Sequence, residues 1–205
     1  MNKILVLWFI ISLACLPLSA QNLTPRVEKI VNKTLSKIWK NQEITKNKIQ
    51  TDKNLESKIF FKGNYVYKLN IIDQEEGWLV LRRALGCKVG GCGSGNYNDS
   101  AVCTADGNAY EVFDYAIVFT PDLKVKKVVI VDYPGDYGYE ISSPGWLNQF
   151  IGYNGGGLNY GSDIDSISGA TISANSITWD VIQVHEMMEK LVEENGLVFS
   201  KKQRS

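Results

Sequence analysis

Apolar residues recur every three or four positions near the two ends of the chain and follow strand-like patterns in its middle, which predicts helices flanking a set of strands. Towards the N-terminus Val27, Ile30, Val31, Leu35 and Ile38 keep helical spacing, with Trp39 beside them. Thr24-Pro25 opens this helix, with Thr as N-cap and Pro at the first helical position, where no helical hydrogen bond is lost. The opposite side carries Arg26, Lys29, Lys33, Lys37 and Lys40. It reads as a solvated face, with docking to a membrane surface or a partner as the alternative. Residues 41–57 are polar and rich in Lys and Asn, and predict a connector or a poorly periodic second helix.

From Lys58 the pattern changes. Ile59 to Phe61, Tyr65 to Ile72 and Trp78 to Leu85 are short, rich in β-branched and aromatic residues, and separated by Gly63-Asn64 and Glu75-Glu76-Gly77. A glycine-dense stretch runs from Gly86 to Gly95. Val112 to Phe119 and Val125 to Val131 predict a strand pair around Thr120-Pro121-Asp122, where Pro presets the turn. Residues 132–163 read as loop. A final helix keeps Ile177, Val181, Val184, Met188 and Leu191 on one face and ends at Asn195-Gly196. Strands in the middle with helices at the two ends predict an α+β fold with an antiparallel sheet. The chain divides into residues 1–20, an N-terminal helix and connector over 21–57, and an α+β domain over 58–200.

Composition narrows the function. At 44% apolar residues the chain has ample material for a core. Lys+Arg and Asp+Glu both number 22, so no basic footprint exists for gripping a phosphate backbone, and nucleic acid is not an expected partner. One His and four Cys leave little for a zinc site. Residues 1–20 read as a signal peptide: Lys3 is the positive start, Ile4 to Leu16 an apolar run of 13 residues, and Leu18-Ser19-Ala20 a small-residue cleavage site. That run is shorter than the roughly 20 residues a membrane-crossing helix needs. An exported protein, periplasmic or on the outer surface, is therefore expected. Lipid anchoring on Cys15 is disfavoured, because Leu13 stands where a smaller residue is expected.

The segment richest in chemistry is Asp165-Ser166-Ile167-Ser168-Gly169-Ala170-Thr171-Ile172-Ser173, just before the final helix. Gly169 permits a tight turn and a close approach of backbone to a ligand, and Ala170 adds almost no bulk. Thr171 and Ser173 fall where a helix begins, and there unbonded N–H groups and the positive dipole end favour an anion. A plain Ser/Thr helix cap after a glycine turn gives the same pattern.

Asp165-x-x-Ser168-Gly169-Ala170-Thr171 resembles the covalent flavinylation signature of the FMN-binding domain family. That family includes peripheral subunits of the sodium-translocating NADH:quinone reductase and of Rnf-type electron-transport complexes. The resemblance implies an FMN-binding domain-like fold and FMN joined to Thr171 by a phosphoester. A separate Mg²⁺-dependent flavin transferase, with FAD as donor, would install it. Asp165, Ser168, Gly169 and Ala170 would form the recognised turn. The N–H groups of Ile172, Ser173 and Ala174 would hold the phosphate. Gly138-Tyr139-Glu140 and Pro144-Gly145-Trp146-Leu147 resemble the family's Glu-Thr-Pro-Gly-Leu-Gly loop bordering the flavin, although Ile141-Ser142-Ser143 replaces a single Thr. Tyr139 and Trp146 are candidates for the wall on which the ring stacks, or for plain core. The resemblance covers about residues 110–195. It implies an electron carrier whose partners are the flavin transferase and a membrane or extracytoplasmic electron-transfer protein. The alternatives are a flavin-dependent reductase using the cysteine loop, and a secreted binding module without flavin.

Cys87, Cys92 and Cys103 remain after processing, an odd number, so one disulfide and one thiol are expected in an oxidising compartment. Cys87–Cys92, Cys92–Cys103 and Cys87–Cys103 are all open pairings, and the loop is either a structural staple or a dithiol that exchanges electrons with the flavin. His185 reads as a packed or surface helical residue. Glu186, Glu189, Glu193 and Glu194 read as a solvated face. No Ser/His/Asp arrangement is supported.

Overall fold

The computed structural model describes residues 23–40, 42–49, 65–72, 76–87 and 110–194. The signal peptide expected over residues 1–20, Ile59 to Phe61, the glycine-dense stretch beyond Cys87 with Cys92 and Cys103, and the expected helix stop at Asn195-Gly196 all lie outside them. The fold is α+β: a five-stranded antiparallel open sheet in the order β1-β2-β3-β4-β5, with a helix on each face. The strands are β1 (Ile44–Ile49), β2 (Tyr65–Ile71), β3 (Gly77–Cys87), β4 (Tyr110–Phe119) and β5 (Val125–Asp132). Helix α1 spans Pro25–Ile38, a single helical turn α2 spans Pro144–Leu147, and α3 spans Thr171–Glu194.

The central strands are apolar on both sides because both sides are covered. On β3, Trp78, Val80 and Ala84 join Phe113, Tyr115, Ile117 and Phe119 of β4 in a core closed by Ile177, Val181, Val184 and Met188 of α3. The alternate residues Leu79 and Leu81 pack with Ala116, Val118 and Leu69 against Val31, Leu35 and Trp39. Helix α1 begins as its sequence predicts, the Thr24 hydroxyl accepting from Val27 N at 3.4 Å.

One element departs from expectation. The stretch read as connector or second helix contains β1, paired along its length with β2 from Ile44↔Ile71 to Ile49↔Val66. It is an edge strand with no buried residue, so its sequence lacks the apolar alternation that marks inner strands. Lys46 and Lys48 suit such an edge, where charge discourages pairing with other chains. Together with α1 it belongs to the same sheet assembly as the rest. Between β5 and α3 the chain is not featureless loop: it contains turns of 3₁₀ helix at Tyr139–Ser142 and Asn148–Phe150 on either side of α2. Ile141, Leu147 and Phe150 sink from these turns into the α3-side core. Among the described residues no helix is long and apolar enough to cross a membrane.

Candidate functional site

Two stretches separated by some thirty residues of chain meet at the N-terminus of α3. The first is the turn Ile167-Ser168-Gly169-Ala170, closed by a bond from Ala170 N to Ile167 O at 3.3 Å. Gly169 occupies its third position with φ +83°, the left-handed region that a type II turn requires there. Ala170 is buried and its carbonyl accepts from Ala174 N at 2.9 Å, the first bond of the helix. Ala174 N–H therefore leaves the set of three donors expected to hold a phosphate, and the amides that precede it, Ile172 in the middle, form the helix mouth. Thr171 is the first helical residue and its side chain is exposed, while its carbonyl accepts from Asn175 Nδ2. Ser168 and Asp165 are exposed on the approach to it.

The second stretch is Gly138-Tyr139-Glu140. Gly138 is buried at φ +83°. A Cβ there would lie 2.5 Å from Ser173 Oγ and 2.6 Å from the Tyr133 hydroxyl oxygen, so only glycine fits. Glu140 faces the turn: its Oε1 would stand 3.6 Å from a Cβ on Gly169. Its Oε2 is buried without a hydrogen-bond partner among the described residues. Tyr139 beside it is 57% exposed.

Beneath both stretches lies support rather than surface. Trp146 is only 7% exposed and stands edge-on to Phe150, with ring centroids 5.4 Å apart. Its indole N–H donates to Asp165 O at 2.7 Å, and Gln149 Oε1 accepts from Asp165 N at 2.9 Å, so the backbone entering the turn is gripped from both sides. Of the two candidate walls, Tyr139 is at the surface and Trp146 is core, as is Leu147. Ser173 is also buried, its hydroxyl hydrogen-bonded to that of Tyr133 at 2.8 Å, so its side chain braces the helix from inside. Tyr160 OH accepts from Ile167 N at 2.9 Å, tying the turn to the preceding loop.

The structure also reveals a buried charged cluster that the sequence reading did not single out. Asp180 of α3, 4% exposed, accepts from Arg82 Nε with both carboxylate oxygens, at 2.9 and 2.8 Å. Arg82 Nη2 adds a further bond to Asp180 Oδ1, and Tyr115 OH donates to Oδ2 at 2.6 Å. Burial, followed by the Asp180 charge, holds the Tyr115 hydroxyl well above the usual tyrosine range. Burial alone would lower the Arg82 pKa, but the Asp180 carboxylate outweighs it and the net shift is upward. Signals for this cluster were present in the sequence: Asp180 interrupts the apolar stripe of α3, and Arg82 interrupts the alternation Trp78, Val80, Ala84 of β3.

Cys87 is the last residue of β3, paired with Tyr110. Cys92 and Cys103 lie outside the described residues, and so does any pairing. His185 is buried beside Phe119 and Tyr153, and Gly155 packs on its ring, where a Cβ would meet Cε1 at 3.1 Å. Glu186, Glu189, Glu193 and Glu194 are exposed. The chain matches no protein-family profile and no curated protein.

Proposed function

We propose that the chain is an exported flavoprotein of the FMN-binding domain type, carrying FMN through a phosphoester on Thr171 and passing electrons in an extracytoplasmic redox chain. The observation that carries this reading is the meeting of the Gly138–Glu140 stretch with the Ser168–Thr171 turn, with Thr171 exposed at the helix mouth. Both stretches were singled out by the resemblance, and nothing in their sequence spacing requires them to touch. The residues present suit the cofactor. Glu140 offers a buried carboxylate oxygen in need of a donor, and the flavin ring carries an imide N–H. Tyr139 presents an exposed aromatic face for stacking. The first amides of α3 and its dipole favour a phosphate on Thr171, and Gly169 keeps the backbone close to it.

When bound, FMN supplies the electron chemistry. The chain's own part is placement: a covalent link at Thr171 prevents loss of the cofactor by diffusion outside the cell and keeps its local concentration high. A flavin transferase acting with Mg²⁺ and FAD is the expected loading partner, and a membrane or extracytoplasmic electron-transfer protein the expected redox partner.

The test is co-expression with such a transferase, followed by a denaturing gel and intact-mass measurement. Wild-type chain should keep flavin fluorescence after denaturation and gain the mass of one FMN phosphoester, and Thr171→Ala should lose both. Fluorescent flavin retained by Thr171→Ala, or wild-type chain that is never labelled, would overturn the assignment. A carrier should then reoxidise with several acceptors and show no saturable small-molecule substrate, which separates it from a reductase.

A further inference from the structure

Tyr133 follows β5 directly, and the flavin reading gives it no role. Its ring stacks on Phe113 with centroids 5.3 Å apart and planes 21° from parallel. Its hydroxyl donates to Tyr137 O at 2.5 Å and shares a hydrogen bond with Ser173 Oγ at 2.8 Å. The backbone of Gly138 is packed onto both hydroxyls, and Gly86 near the end of β3 approaches the same oxygen, where a Cβ would stand 3.1 Å away. One phenol oxygen thus lies where three chain segments meet: the end of β3, the loop after β5, and the first turn of α3. Glu140 stands two residues beyond Gly138, and Thr171 two residues before Ser173. Tyr133 therefore links the segment that leads into the Tyr139–Glu140 face to the helical turn that begins at Thr171.

We propose that Tyr133, acting through Ser173 and Tyr137, is a positioning residue for the loading of Thr171. It fixes the distance between that face and the threonine, so that the flavin end of FAD meets both at once. This rests on the flavin reading. In the loading step the Thr171 oxygen displaces AMP from the flavin-side phosphorus of FAD. One P–O bond forms as the pyrophosphate P–O bond breaks, the threonine proton passes to solvent, and no electrons are exchanged. Such a displacement is sensitive to placement, since an error of about 1 Å can cost up to about a hundredfold in rate. Tyr139 is more than half exposed, so its position follows from Gly138 before it, packed on the Tyr133 hydroxyl, and from Ile141 after it, buried in the core.

The experiment measures transfer by a purified flavin transferase with FAD and Mg²⁺, using the full chain as acceptor. Tyr133→Phe removes one oxygen and keeps the ring on Phe113. It should lower kcat for labelling about tenfold, the usual worth of one well-made hydrogen bond, while KM for the chain stays within about twofold. Ser173→Ala, which breaks the Tyr133–Ser173 bond and leaves the Tyr133–Tyr137 bond in place, should lower kcat in the same way by no more than Tyr133→Phe does. The double variant should be no slower than Tyr133→Phe alone, because that link is already lost there. The labelled variants should also show a weaker visible circular-dichroism signal from the flavin, reporting a ring held less firmly. Thr24→Ala, remote from the site, should lower the thermal midpoint without moving kcat, which separates positioning from general destabilisation. If Tyr133→Phe does not fold, Ser173→Ala carries the test alone. Wild-type kcat in the single variants, or additive losses in the double variant, would overturn the proposal while leaving the flavin reading intact. Wild-type chain that is never labelled would overturn both.

Discussion

Gly138 illustrates how much one residue position can decide here. Its φ of +83° favours glycine on backbone grounds, and the two hydroxyl oxygens within 2.6 Å of a hypothetical Cβ exclude any other residue on packing grounds. Gly138→Ala should therefore cost about 2–4 kcal/mol of stability, strain and overpacking together, read as a lowered urea midpoint. Gly152 has a similar φ of +92° with nothing near its Cβ position, so Gly152→Ala should cost about 1 kcal/mol from the backbone alone. The contrast between the two was not legible in the sequence, where both are glycines in a loop. Thr171 and Gly169 were legible, because a small-residue turn before a helix leaves its mark in consecutive residues. Tyr133 was not, because its partners Phe113, Tyr137 with Gly138, and Ser173 come from three places along the chain.

Helix α3 carries the candidate attachment residue at its first position and is pinned to the sheet nine residues later by Asp180. An ion pair this deeply buried holds its place because each charge compensates the other, so removing one partner is far worse than removing both. Asp180→Asn should destabilise the protein by about 3–5 kcal/mol in chemical denaturation, leaving the Arg82 guanidinium buried without a counter-ion. The triple change Arg82→Met, Tyr115→Phe and Asp180→Leu should recover most of that loss, since apolar side chains of similar size replace two desolvated charges and the buried hydroxyl that donates to Asp180 is removed with its acceptor. Arg82 Nη1 already lacks a hydrogen-bond partner among the described residues, a further reason why the apolar replacement is tolerable. At this scale α1 and α3 were readable from their 3.6-residue periodicity, and β2 to β5 from β-branched and aromatic runs. Strand β1 was not, since an edge strand of Ile-Thr-Lys-Asn-Lys-Ile takes its conformation from pairing with β2 rather than from an apolar face of its own.

For the molecule as a whole, the buried cluster gives stability an alkaline limit. The Tyr115 hydroxyl is held well above its ordinary value of 10.0, first by burial and then by the Asp180 charge. The unfolded chain releases that proton near pH 10 while the folded chain keeps it, so over this range the folded state binds more protons and stability falls as pH rises. The contribution is fully present below pH 10. Tyr67 and Tyr153 are shifted in the same direction, chiefly by burial, and add to the fall. The urea midpoint should therefore decline from pH 9 to pH 11. In Tyr115→Phe the decline should be shallower, from a lower starting value, because the hydrogen bond to Asp180 is gone. The sheet order has a similar global character: each strand pairs with its neighbour in sequence, the simplest arrangement for antiparallel strands, and two helices then close the two faces.

Periodicity and turn chemistry were enough, from the sequence alone, to establish an α+β chain with helices towards its ends and strands between them, and to mark Ser168-Gly169-Ala170-Thr171 as a glycine turn opening a helix. Those features depend on residues close together in the chain, whose local geometry leaves a regular imprint. Tertiary structure alone decided that Gly138–Glu140 lies against that turn, that Trp146 is core while Tyr139 faces outward, and that Arg82, Tyr115 and Asp180 share one buried network. Each of these depends on segments brought together only when the apolar faces of the sheet and its helices are withdrawn from water, and burial of that kind sets which polar groups meet without writing the pairing into any one stretch of sequence.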